Sequence, residues 1–168
     1  MTPFMSQVRS LLHTRAATPV SENTERRLSL RLRNYWEDLR GGTAYPALGD
    51  LKPEDISDIW PWCFVISAQG RFPPYDFHYL GGNFATYSSL YLGGERDSIA
   101  DSTLMDKALE RLPEVFEHGA PVYVEEEIPR FDRRRLLMRA SLFPLSDDQF
   151  HVNFVIGAAN GKLVEPKE

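Results

Sequence analysis

Four histidines (His13, His78, His118, His151), a single cysteine (Cys63) and a dense run of arginines at 130, 133, 134, 135 and 139 are the side chains best suited to chemistry. An imidazole at His78, or the phenol of Tyr79 beside it, could ligate a haem iron or orient a small molecule if it faced a pocket. The two are adjacent in a run with strand character, so they point to opposite faces. His78 or Asp76 could equally serve as a general base at a cavity floor, where a shifted pKa would mark it. Cys63 sits in an apolar run, where a thiol is ordinarily a small hydrophobe rather than a nucleophile. The Arg130–Arg139 segment, with Phe131 inside it, has the composition of a nucleotide or nucleic-acid contact. Glu125-Glu126-Glu127 precede it, however, and a turn near Phe131 would set Glu127 opposite Arg135 as an exposed charge ladder. Arg139 is flanked by Leu137, Met138 and Ala140 and could instead face a half-buried site.

No metalloprotease, nucleophile-elbow, phosphate-loop or dinucleotide motif occurs in the chain. One cysteine allows neither an intrachain disulfide nor a multi-Cys zinc site, and suits a reducing cytoplasm. No residue is therefore assigned a catalytic or metal-binding role.

The organising stretch runs from Trp60 to Tyr91. It reads as strands Cys63–Ala68 and Tyr75–Leu80, joined by a Gly-Pro-rich loop, with Gly81-Gly82 opening a helix that carries Phe84, Tyr87, Leu90 and Tyr91. Ahead of it, residues 21–42 form the clearest helix. Ser21 is the N-cap, Gly41-Gly42 the stop, and Leu28, Leu32, Tyr35, Trp36 and Leu39 fall on one stripe. That stripe must cover the outer face of a sheet, a second copy of itself, or both. Asp101 or Ser102 opens a further helix bearing Leu104 and Ala108, restarted at Pro113 and stopped at Gly119. Three strands close the chain: Val122–Ile128, Arg134–Phe143 and Phe150–Ala158. In the last, Asn153 could orient a ligand. The chain divides into an N-terminal arm (1–20), the amphipathic helix (21–42), a sheet domain (43–160) and a C-terminal tail (161–168).

The 168 residues suffice for one domain with a sizeable core. A net charge of −5 argues against non-specific nucleic-acid binding. The charge is uneven, with seven Arg and four acids in residues 1–40 giving +3 and leaving −8 for the rest. No apolar run is long enough to span a bilayer.

The segments NYWEDLRGG with Pro46 (34–46), LKPEDISDIWPWCFVIS (51–67) and YDFHYLGGNF (75–84), in this order of elements, resemble the stand-alone PAS-like family of bacterial proteins over about residues 24–158. The resemblance implies an α+β fold: a five-stranded antiparallel sheet with short helices on one face and an N-terminal amphipathic helix. It also implies a non-catalytic sensor or adaptor acting through protein–protein contact, with a small ligand in a core cavity near His78, Tyr79, Tyr87, Tyr91, Met105, Arg139 and Asn153. Homodimerisation would use Leu28, Leu32, Tyr35, Trp36 and Leu39, and the signalling partner is unidentified. Neither haem nor flavin is indicated, since Phe64 follows Cys63 where the flavin-adduct pattern of light sensors needs Arg. Gly81-Gly82 and Leu92–Arg96 depart from the family's usual residues beside the cavity, so the resemblance carries over no particular ligand.

Overall fold

A computed structural model describes residues 22–86, 103–129 and 133–166. Helix α1 (Glu22–Arg40) leads through three short 3-10 turns to β1 (Cys63–Ser67) and β2 (Phe77–Leu80). A helical turn over residues 82–86 follows. Then come α2 (Leu104–Leu109), α3 (Leu112–His118), β3 (Val122–Pro129), β4 (Arg135–Leu145) and β5 (Phe154–Val164). The strands form one antiparallel sheet in the order β2-β1-β5-β4-β3, with β3 and β2 at its edges. This is the α+β architecture the sequence implies.

Side chains alternate along β4 and β5, so the sheet carries a core on each face. On one side Leu136, Met138, Ala140 and Leu142 of β4 join Phe64, Ile66, Val155 and Ala159 under α2 and α3. On the other, Phe143, Leu145, Ile156 and Ala158 meet Leu28, Leu32, Tyr35 and Trp36 of α1. These two sides are termed the helix face and the outer face below.

Local signals explain the helix ends. Gly41 takes a left-handed φ of +53°, and its N–H reaches Glu37 O at 3.2 Å. The helix expected from Asp101 or Ser102 begins at Leu104. Thr103 caps it: its hydroxyl accepts from Asp106 N at 2.9 Å while the Asp106 carboxylate accepts from Thr103 N. Pro113 restarts the helix as α3, and Gly119 ends it at φ +65°.

β2 begins at Phe77 rather than Tyr75, and the limits of β4 and β5 also differ from expectation. Pro144 and Leu145, read as a connection, belong to β4. Proline is tolerated because β3 pairs no further than Leu142, so no strand lies on the side where the missing N–H would point. On that same side the Pro144 carbonyl accepts the Trp36 indole N–H at 2.8 Å. β5 begins at Phe154 rather than Phe150, because Asp148 gathers residues 146–151 into a turn. It then continues to Val164, since β4 supplies partners as far as Arg135. Residues 161–164, expected in a tail, are strand.

Candidate functional site

On the helix face, Met105 of α2 is half-buried against the apolar cluster, with Phe64 and Phe84 packed at 4.7 Å between ring centroids. Of the expected cavity residues that the structure describes, Met105 is the one placed there. Tyr87 and Tyr91 lie outside the described residues. Among the described residues the buried polar side chains are hydroxyls and one amide: Thr86, Thr103, Ser141, Ser146 and Asn160.

His78 and Tyr79 do not point to opposite faces. β1 pairs Val65 with Tyr79 but Ile66 with Phe77, which leaves His78 as the extra residue of a β-bulge. A bulge rotates the strand by one position. Phe77 therefore joins the helix-face core, whereas Tyr79 joins the outer one, stacked on Trp60 at 4.0 Å and donating to Trp60 O at 3.0 Å. His78 is exposed, its ring edge-on to Phe154 at 5.5 Å. Both are corrected from cavity to outer-face residues. No residue pattern in DFHYL announces the bulge. Asp76 is exposed and uses its backbone carbonyl to accept from Ser67 N at 3.0 Å.

Asn153 is not a cavity residue either. It precedes β5, where its Oδ1 accepts from Asp147 N at 3.2 Å and its Nδ2 donates to Asp147 Oδ2 at 3.0 Å, tying the β4–β5 turn. Beside it Asp148 accepts the backbone N–H groups of His151 and Phe150 and pairs with the His151 ring at 2.8 Å. These bonds, that from the His151 backbone foremost, hold its carboxyl well below the usual carboxylate range.

The arginine segment is a charge ladder on the outer face. Glu125 stands directly opposite Arg139 and pairs with it at 3.1 Å. Glu127 pairs with Arg135 at 2.6 Å, but diagonally: the register puts Leu137 opposite Glu127 and Pro129 opposite Arg135, because the turn centres one residue later than Phe131. Arg133 adopts φ +67° in that turn. Arg139 thus faces away from the helix-face core. Arg130 and Phe131 lie outside the described residues.

Cys63 is fully buried, and its Sγ donates to Ile59 O at 3.4 Å. Burial, with Asp58 adding a smaller repulsion, pushes its thiol far above the ordinary range. The folded protein should therefore resist a thiol-specific disulfide reagent at pH 8 and react once urea unfolds it. Rapid labelling of the native chain would show that β1 opens readily.

The α1 stripe has one destination. Leu32 is wholly buried, Leu28, Tyr35 and Trp36 nearly so, and Leu39 is half-buried, all against the chain's own sheet. The Tyr35 hydroxyl accepts from Lys52 N at 2.7 Å, closing the 3-10 segment over the helix. These residues were expected at a dimer interface or in packing against the sheet. Among the described residues their side chains form the core over the outer face of β1, β4 and β5. Leu30 remains exposed, as does Tyr123 across from it on β3.

Among the described residues no helix is long and apolar enough to cross a membrane, and no cluster of His, Cys, Asp and Glu is spaced to hold a metal ion. Neither the helix face nor the outer face alone identifies the chain, but comparison with known proteins bears on the whole of it. No curated protein matches. Among solved structures, the dark state of the blue-light photoreceptor Aureochrome1 LOV aligns at 15% identity, over 67% of this chain and 82% of that one, with a TM-score of 0.41. A variant of Vivid aligns at 11% identity, over 58% and 79%, with a TM-score of 0.37. The PAS domain of Bordetella pertussis BvgS aligns at 16% identity, over 68% and 85%, with a TM-score of 0.32. The family model described as PAS domain matches residues 24–160, a span that takes in α1 and all but the last residues of β5. With a helix-capped antiparallel sheet of the order β2-β1-β5-β4-β3 and that match over most of its length, the chain belongs to the PAS domain family.

Proposed function

We propose that this PAS domain is a non-catalytic regulatory module that acts by binding another protein, and that a small apolar ligand between the sheet and its short helices biases the position of α1. The observation that carries this reading is the two-sided sheet. Neighbouring residues of β4 and β5 alternate between the helix-face core and the core beneath α1, so a shift of either strand is felt by both layers. A ligand changes the output only to the extent that it binds two arrangements unequally. The ligand would lie near Met105, Tyr87 and Tyr91 and be held by shape and apolar contact. The protein would form a homodimer through a surface other than the Leu28–Trp36 stripe and pass its signal to a separate signalling protein. A reducing cytoplasm suits its single, buried cysteine.

Native mass spectrometry on freshly purified full chain, with hydrogen exchange before and after ligand removal, tests this reading. The expected result is a dimer carrying a small added mass, with α1 amides exchanging faster once that mass is removed. A chain that carries no added mass, or whose α1 exchange ignores its loss, overturns the ligand part. A monomer at micromolar concentration overturns the homodimer.

A further inference from the structure

The turn between β4 and β5 carries Phe150, at 85% exposure the most exposed large apolar side chain among the described residues. A single exposed hydrophobe is ordinary on a protein surface, but the support beneath this one is not. Asp148 Oδ1 accepts from Ser146 Oγ at 3.0 Å, Phe150 N at 2.8 Å and His151 N at 2.7 Å. Asp147 Oδ1 accepts from Leu48 N at 3.1 Å, and the Gln149 amide bonds twice to the Tyr45 backbone, donating at 2.8 Å and accepting at 3.2 Å. Tyr45 is moored in turn by its hydroxyl, which donates to Gly119 O at 3.1 Å. Ser146, Asp147, Asp148, Gln149 and His151 thus all use their side chains to fix the turn or its base, while Phe150 stands out from it.

These bonds set the backbone before any partner arrives, and a ring with only two side-chain torsions loses little freedom on binding. An aromatic held out on a fixed turn has the properties of an interface anchor, the residue that fills a partner's pocket and carries most of the affinity. The neighbouring loop points the same way. It leaves the same end of the sheet, where Ala68 N donates to Asn153 O at 2.9 Å, and it exposes Phe72 at 58%. Charge around the turn is one-sided. Residues 41–51 and 140–161, which contain the turn and the segment it rests on, carry Asp50, Asp147 and Asp148 and no lysine or arginine.

We propose that Phe150 is the anchor by which this protein docks on a separate protein, entering an apolar pocket whose rim is basic. That anchor rests on the reading that the domain acts by binding another protein, and gives the contact a place. The turn is too small and too convex to pair with its own copy, since two such tips meeting at a two-fold axis would cover far less than the ~1,200 Å² of a stable interface. A concave partner can enclose the ring and reach the Phe72 loop beside it. The three carboxylates disfavour an anionic lipid surface, which recruits lysine-rich and arginine-rich segments, and favour a pocket ringed by such cations.

Photo-crosslinking of the full chain in its native cells, with p-benzoylphenylalanine in place of Phe150, Leu30 or Tyr123, locates the contact, and titration calorimetry with the captured protein, once purified, measures it. The expected result is a discrete adduct from position 150 and none from the other two. Phe150→Ser should then weaken binding about thirtyfold or more, the loss typical of a truncated anchor, with the circular dichroism of this exposed-site variant unchanged. Asp148→Ala keeps the ring but frees the turn, and should weaken binding about tenfold. Added salt should weaken it as well, and an affinity indifferent to salt overturns the basic rim. Equal affinity for Phe150→Ser overturns the anchor. So does an adduct of twice the chain's mass, which would make the turn a self-contact, or sedimentation with phosphatidylglycerol vesicles that Phe150→Ser abolishes, which would make it a membrane contact. Adducts from positions 30 or 123 alone overturn the anchor and spare the protein-binding reading, whereas no adduct from any of the three overturns both.

Discussion

Trp36→Ala is expected to lower the free energy of unfolding by about 4 kcal/mol, the range found when a large buried aromatic is truncated. The indole is 5% exposed, lies 5.5 Å from the Phe143 ring, and donates to a carbonyl at the one point of β4 where the sheet offers no backbone partner. Truncation opens a cavity under α1 and strands the Pro144 carbonyl as well. Trp36→Phe separates the two effects. It keeps most of the apolar contact and should lose about 1–2 kcal/mol, the cost of the unmade hydrogen bond. Urea unfolding followed by circular dichroism gives both values. A loss under about 1 kcal/mol for Trp36→Ala would mean that α1 is not part of the cooperative unit, since packing defects inside such a unit cost more.

Gly157→Ala probes the opposite face. A Cβ at this position would stand 2.5 Å from Phe64 Cζ, 2.6 Å from Cε2 and 2.9 Å from Leu142 Cδ2. Phe64 is fully buried and packed against Phe84, so its ring has nowhere to retreat. Overpacking of this kind costs about 1–3 kcal/mol, and Gly157→Val should approach or exceed the upper end. Adding Phe64→Leu should recover part of the loss, because the smaller side chain vacates the space the methyl group needs. A double-mutant cycle in urea measures that coupling, and purely additive losses would refute the contact.

The legibility of this fold in its sequence follows from how local each signal is. The α1 stripe, the Gly41 and Gly119 stops and the Pro113 restart are written within a few residues, and the structure bears them out. The sheet's strand count follows from alternation, and its PAS character from the segments around Tyr35-Trp36, Trp60–Ser67 and Tyr75–Phe84. What could not be read depends on contacts made far along the chain. Whether α1 covered a sheet or a second copy turned on the outer face of β4 and β5, more than a hundred residues later. The bulge at His78 arises from how β2 meets β1, and it moved His78 off the helix face, onto the same side as Tyr79. Pro144 stayed in its strand because β3 ended first. Phe150 was read as the opening of the last strand, and only the bonds that Asp148 makes to the backbone two and three residues on show it standing out from a turn.

The edge strand β3 bears on how the protein behaves when crowded. An exposed strand edge is a template for another chain's backbone, and eight residues is long enough to seed stacking between molecules. Here that rim is defended. Glu125, Glu126 and Glu127 occupy its middle, so a second β3 laid antiparallel against it would set carboxylates side by side. Pro129 closes one end, and near the other the Arg111 guanidinium reaches across to the Tyr123 carbonyl at 3.1 Å, taking up an acceptor. The acidic triplet thus guards against aggregation while Glu125 and Glu127 pair with arginines of β4 and Glu126 with Lys107 of α2. Neutralising it would trade colloidal stability for a stickier edge, even in a molecule whose fold was untouched.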